Sequence, residues 1–186
     1  MKMKKIVIVM MSVLMIASAG YGQSKKELRA REKQAKKEAR AREEAMNKEL
    51  TKKMIESRKF VLEADFVSGK QGQRISVTRT FNFIVVNGDK VAFQFADGSH
   101  VGYNGVGGSF EEGNLREYKF KTNKKGMYFV DFRIVSSGGT LFVHLSAIGA
   151  TLRVDATIKG TSSAQLNYSG YLVPLDKSRV YKGVSF

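Results

Sequence analysis

Two histidines, His100 and His144, are the side chains in this chain best suited to proton transfer or metal ligation near neutral pH. His100 closes the stretch Phe95-Ala96-Asp97-Gly98-Ser99-His100, which sets an acid, a hydroxyl and an imidazole side by side. A nucleophilic triad needs those three groups to converge, with the imidazole between hydroxyl and carboxylate. Near neighbours on one loop cannot align that way, so the stretch reads as a surface loop. Zinc takes three or four protein ligands, and with no cysteine the two histidines would need carboxylates such as Asp97 in a geometry that no spacing specifies. No metal site is expected. Glu111 and Glu112 are adjacent, so on an extended chain they point to opposite faces and cannot flank one scissile bond.

Gly102, Gly105, Gly107 and Gly108 crowd into seven residues and invite comparison with a phosphate loop. Such a loop is followed by Lys-Ser or Lys-Thr and by the N-terminus of a helix, and neither follows here. A flexible connection between strands is the better account, and its freedom suits the rim of a binding site. The expected ligand-binding rim is therefore Phe95, Asp97, His100, Tyr103 and Phe110, with no catalytic residue, no metal ligand and no cofactor.

The elements that would position this rim are legible in the periodicity. From Phe60 onward apolar residues alternate with polar ones, the pattern of a half-buried strand. A first strand runs through Phe60, Leu62, Ala64 and Phe66, and a long second one carries Ile75, Val77, Arg79, Phe81, Phe83 and Val85 on one face. Asn87-Gly88-Asp89 is the strongest hairpin signal, returning the chain through Val91, Phe93 and Phe95. Further strands are expected over 116–122, 127–135, 141–147, 151–158 and 165–173, joined by short turns without helices. This predicts an all-β fold: an antiparallel meander of about eight strands forming a small barrel or a sandwich, preceded by a long charged α-helix. The aromatic residues, among them Phe129, Phe142 and Tyr171, read as core. The tail from Pro174 reads as a short edge strand or a cover over an open end.

Ahead of the β domain (60–186) lie two other segments. Residues 1–22 have the form of a signal peptide: Lys2, Lys4 and Lys5, an apolar run over 6–16, then Ala17-Ser18-Ala19. Cleavage after Ala19 and cleavage after Gly22 both fit. A lipid-anchored form is excluded because there is no cysteine to acylate. Residues 23–59 form a basic arm without glycine or proline, rich in Lys, Arg, Glu and Ala. Ser24 and Glu27 have the spacing of a capping box, and pairs such as Glu32 with Lys36 and Glu49 with Lys53 support a solvated helix. Its apolar stripe is thin: Leu28, Ala35, Ala39, Ala45 or Met46, Leu50 and Met54. Of the net charge of +15, residues 25–59 carry +7 and 60–186 only +5, so most of the excess lies outside the β domain.

The residues Glu56-Ser57-Arg58-Lys59-Phe60-Val61-Leu62-Glu63-Ala64, Asn87-Gly88-Asp89, Lys124-Lys125-Gly126, Ile148-Gly149-Ala150 and Asn167-Tyr168-Ser169-Gly170 follow one another in an order and spacing that resembles a known family. It is the uncharacterised secreted domain-of-unknown-function family 4251 of the Bacteroidetes, and the resemblance spans about 52–175. The sequence departs from it between Phe93 and Gly108, where a Leu-Pro-Tyr-like stretch is usual. The resemblance implies a periplasmic β domain and assigns no activity, so it carries over no functional residue.

These observations point first to a periplasmic or secreted, non-enzymatic binding or interaction module. An open end of its β domain would hold a small apolar or glycan-like ligand or a partner peptide from the envelope. The alternative is a structural envelope protein whose basic arm adheres to anionic membrane surfaces. A hydrolase ranks third, because no spaced acid, base and nucleophile occur together. Nucleic acid is not an expected partner, since the leader directs the chain away from it.

Overall fold

The computed structural model describes residues 2–96, 108–161 and 164–180, with side chains from residue 25 onward. The chain falls into two compact units, 1–43 and 44–186. A single helix, α1 (Lys2–Ser57), is followed by β1 (Lys59–Gly69), β2 (Arg74–Ser76), a 3-10 turn (Arg79–Phe81), β3 (Phe83–Asn87), β4 (Lys90–Phe95), β5 (Ser109–Thr122), β6 (Met127–Ser136), β7 (Gly139–Ile148), β8 (Arg153–Lys159) and β9 (Gln165–Pro174). All neighbouring strands are antiparallel, and β9 returns to pair with β1. Eight strands therefore close into a barrel, with the short β2 as an extra strand on the far half of β1. Closure resolves the choice between barrel and sandwich and leaves the eight staves without a free edge.

The expected alternation holds best in β6, β7 and β8. Val130, Phe132 and Ile134, then Val143, Leu145 and Ala147, then Val154, Ala156 and Ile158 all point inward to one buried cluster. It fails in two places, each for a local reason. In β1 the register with β9 shifts between Ala64 and Phe66, a β-bulge, so Val67 rather than Phe66 enters the core. Phe66 is left outside, under the Arg74 guanidinium, which sits 3.8 Å from the ring centroid.

The second failure is the long second strand, which is interrupted by the 3-10 turn. The Asn82 side chain, 1% exposed, donates from Nδ2 to the carbonyls of Thr78 (3.1 Å) and Ala96 (3.0 Å) and accepts from the Ala96 N–H (2.8 Å). These bonds satisfy backbone groups that a continuous ladder would have used. Past the break, Ile84 and Val86 face inward, while Phe83 and Val85 face outward and form a second small cluster with Val61. The tail covers that cluster: Leu175 and Val180 pack on it, and Ser178 Oγ donates to Glu63 Oε1 (2.7 Å). So the described part of the tail is neither an edge strand nor an end cover but a strap on the outer wall.

Gly170 lies where β9 crosses the β1 bulge, and a Cβ there would run into the Glu63 carbonyl and the Ala64 Cα. Because both obstacles are backbone, the strands would have to separate. Gly170→Ala is expected to lower stability by about 1–3 kcal/mol, the cost of one methyl too many in a packed site. A shift of the urea midpoint without change of slope would register it.

The last turns of α1 close one end of the barrel. Thr51, Met54 and Ile55 are buried and Leu50 packs against the inner cluster, so one helical face at i, i+1, i+4 and i+5 fills the opening. Polar bonds seat it: Asn47 Nδ2 donates to the Ala150 carbonyl (3.0 Å), Thr51 Oγ1 to that of Gly149 (3.3 Å) and Tyr118 Oη to that of Ile55 (2.8 Å). Earlier members of the expected apolar stripe do not take part, for Leu28 and Met46 are exposed. Only Arg58, in the left-handed region at φ 53°, separates α1 from β1. Its N–H bonds back to the Ile55 carbonyl and its guanidinium reaches Asp89 (3.3 Å) and lies over the Tyr118 ring.

Candidate functional site: the mouth of the barrel

With α1 seated where β1 begins, the other end of the barrel is where β1 finishes and where β4 leads out after Phe95. The lumen between is filled by Phe60, Leu62, Ile84, Phe132, Leu145 and Tyr168, all at most 3% exposed. Tyr168 is the largest of the fully buried side chains; its hydroxyl donates to the Gln94 carbonyl (3.1 Å), and burial pushes its phenol pKa well above the ordinary value. That bond fixes the end of β4 just before the chain reaches the mouth.

At the mouth the inner face carries a cleft of about 290 Å³ lined by Val67, Ile75, Phe95 and Leu166, with Lys70, Gln71 and Gln73 on the turn between β1 and β2. The β1 bulge makes this cleft: it turns Val67 inward, and the pairing of Val67 with Ile75 brings the second apolar side chain to the same face. Apolar walls with a few polar groups at one edge are the usual composition of a small-ligand site.

The rim residues expected from sequence divide into three cases. Phe95 lines the cleft and packs on the inner cluster. Phe110 pairs with Gln94, one position out of phase with Phe93 and Phe95, and so belongs to the outer face of the sheet. Asp97, His100 and Tyr103 lie outside the described residues, as does most of the glycine-rich run. Gly108, at φ 77°, is described: a Cβ there would strike the Phe95 carbonyl, so only glycine lets the returning chain pass so close. β5 follows at once, which leaves no helix N-terminus for a phosphate.

Sequence reasoning missed Val67, Ile75 and Leu166, whose place along the cleft depends on the bulge and on the β1–β2 pairing. Glu111 and Glu112 both belong to β5. Glu111 pairs with Phe93 on the inner face and accepts a hydrogen bond at Oε2 from Ser136 Oγ (2.9 Å), whereas Glu112 pairs with Ala92 on the other face. The two carboxylates do point apart, as adjacency required. Among the described residues no three His, Asp or Glu side chains are grouped to hold a metal ion. No described helix is long and apolar enough to cross a membrane.

The family model described as a domain of unknown function, DUF4251, matches residues 42–172. Among solved structures, the crystal structure of a DUF4251 family protein from Bacteroides eggerthii is similar at 30% identity and a TM-score of 0.64. The match covers 76% of this chain and 97% of that one. No curated protein matches.

Proposed function

Because the chain belongs to the DUF4251 family, described only as a domain of unknown function, we propose its role from the site itself: an exported, non-enzymatic binding module that takes a small amphiphilic ligand at the mouth. The observation that carries this reading is the cleft formed by Val67, Ile75, Phe95 and Leu166 at the one barrel end that the helix leaves uncovered. Its apolar walls suit a ligand body, and Lys70, Gln71 and Gln73 offer hydrogen bonds to a polar head. Export rests on the leader-like residues 1–22.

The neutral fluorophore N-phenyl-1-naphthylamine tests the mouth. A saturable rise in its fluorescence is expected with the protein from residue 23 onward, and Phe95→Asp should weaken it at least about tenfold, since a charge in the wall removes apolar contact and adds a desolvation cost. A thermal melt of the variant shows whether the barrel persists. No saturable rise, or an undiminished one in a folded Phe95→Asp protein, overturns the reading.

A second reading rests on the basic arm. Over residues 25–43 nine basic side chains face four acidic ones, and the described side chains there are all exposed. Such a segment is suited to an anionic membrane surface. Co-sedimentation with phosphatidylglycerol vesicles should be strong at low salt, fall steeply as salt rises, and vanish when residues 23–43 are removed. Retention by the shortened chain would dismiss the arm as the anchor.

A further inference from the structure

The outer wall of β5 to β8 carries a second depression, of about 380 Å³. Register builds it. Lys119, Asp131, His144 and Thr157 stand directly opposite one another on successive strands, and Arg133, Phe142 and Lys159 form the next row. Residues directly opposite in antiparallel strands share a face, so the two rows lie side by side on the outer surface.

The charges are sorted in a way that leaves cations available. His144 Nδ1–H donates to Asp131 Oδ1 (2.7 Å), which fixes the ring and turns Nε2 away from the carboxylate. Arg133 pairs with Glu117 Oε1 (3.0 Å) and lies over the Phe142 ring, 5.1 Å from its centroid. Both carboxylates are thus engaged, while Lys119 and Lys159, on strands β5 and β8 at opposite sides, have no ion-pair partner among the described residues. Counting histidine as neutral, the lining carries three positive and two negative charges. Phe142 is 43% exposed, although Val143 beside it in β7 is buried.

We propose that this groove binds an acidic monosaccharide, a pyranose ring that carries a carboxylate or a phosphate. The ring would lie against Phe142, its anionic group would meet Lys159, directly opposite Phe142, or Lys119 at the other side of the groove, and its hydroxyls would meet His144 Nε2 and Thr157. An exposed aromatic face among hydrogen-bonding groups suits the apolar side of a sugar, and the unpaired ammonium groups supply selection for charge. The volume falls in the range of small-ligand sites, about 300–1,000 Å³. The proposal is independent of the mouth, since no residue is shared between the two clefts.

The protein has only two histidines, so the His144 imidazole is readily followed in nitrogen-15 correlation spectra. Galacturonate and glucose 6-phosphate separate the two anionic chemistries, galactose supplies the ring alone and inorganic phosphate the charge alone. Saturable shifts of the His144 imidazole are expected with at least one of the acidic sugars, about tenfold tighter than with galactose or with phosphate. Lys119→Gln with Lys159→Gln should weaken that binding at least about tenfold while the melt stays unchanged, and added salt should act likewise. Absence of a saturable shift with both acidic sugars overturns the proposal. So does galactose or inorganic phosphate binding equally well, or full binding by the double variant.

Discussion

Ile55→Ala is expected to lower the stability of the protein by about 2–5 kcal/mol, the range for removing a large aliphatic side chain from a packed site that cannot collapse. Ile55 is fully buried at the helix-closed end of the barrel, and its carbonyl holds both the Arg58 N–H and the Tyr118 hydroxyl, so the helix cannot settle inward to fill the gap. The effect would appear as a lower urea midpoint with an unchanged slope. Glu38→Ala, on the exposed arm, serves as control, because only a hydrogen bond from Gln34 to an exposed carboxylate is lost there. An Ile55→Ala loss no larger than the control's would mean that the last turns of α1 rest on the barrel without stabilising it. A practical corollary concerns dissection: a cut after Glu43 spares the plug, whereas removing residues 23–55 would uncork the barrel and confound any binding assay.

The second large effect is alkaline. Burial raises the pKa of Tyr168, and burial offset in part by Arg58 raises that of Tyr118, both from the ordinary value of 10.0. Raised acid pKa values in the folded state mean that, above pH 10, the unfolded chain has released protons that the folded one retains. Stability is then lost as pH rises, with full stabilisation below about pH 10. For Tyr168 alone the slope approaches about 1.4 kcal/mol per pH unit, one proton's worth, and Tyr118 adds a smaller share because it is partly exposed. Urea titrations between pH 9 and about pH 12 should show this fall. Tyr168→Phe should cost about 1 kcal/mol at neutral pH, for the lost bond to the Gln94 carbonyl, yet flatten the alkaline slope. An equally steep fall in Tyr168→Phe would exclude this phenol as its source.

What could be read in the sequence was what local pattern decides. The Asn87-Gly88-Asp89 hairpin is present as a two-residue connection with Gly88 at φ 62°, and β6, β7 and β8 fall on the stretches 127–135, 141–147 and 151–158 that turn spacing marked as strands. Hidden were the features that arise between distant strands. The bulge beside Asp65 is held by Arg79 and the neighbouring Arg153, from a turn and a strand that periodicity cannot connect to it. One displaced residue there reverses Phe66 and Val67, and with them the composition of the mouth. Similarly, Phe129, Phe142 and Tyr171 looked like core by composition. Strand parity puts them on the outer wall, where Lys121, Arg133, Arg79 and Arg153 each approach one face of a ring, a solvated arrangement that an aromatic count does not distinguish from burial. Asp131 and His144, thirteen positions apart, meet only through the register of β6 with β7.

Closure by β9 also sets an order of events during folding. Every other ladder joins strands near in sequence, but the seam pairs Phe60 with Pro174 and continues through nine matched positions to Gly69 and Leu166. Until β9 is available to pair, the sheet is a ribbon with two naked margins, each able to recruit a foreign strand. The joining of these most distant partners, whose search cost grows with the chain between them, is therefore the step expected to be slow. A chain that stops short of β9 would be a template for aggregation rather than a smaller barrel.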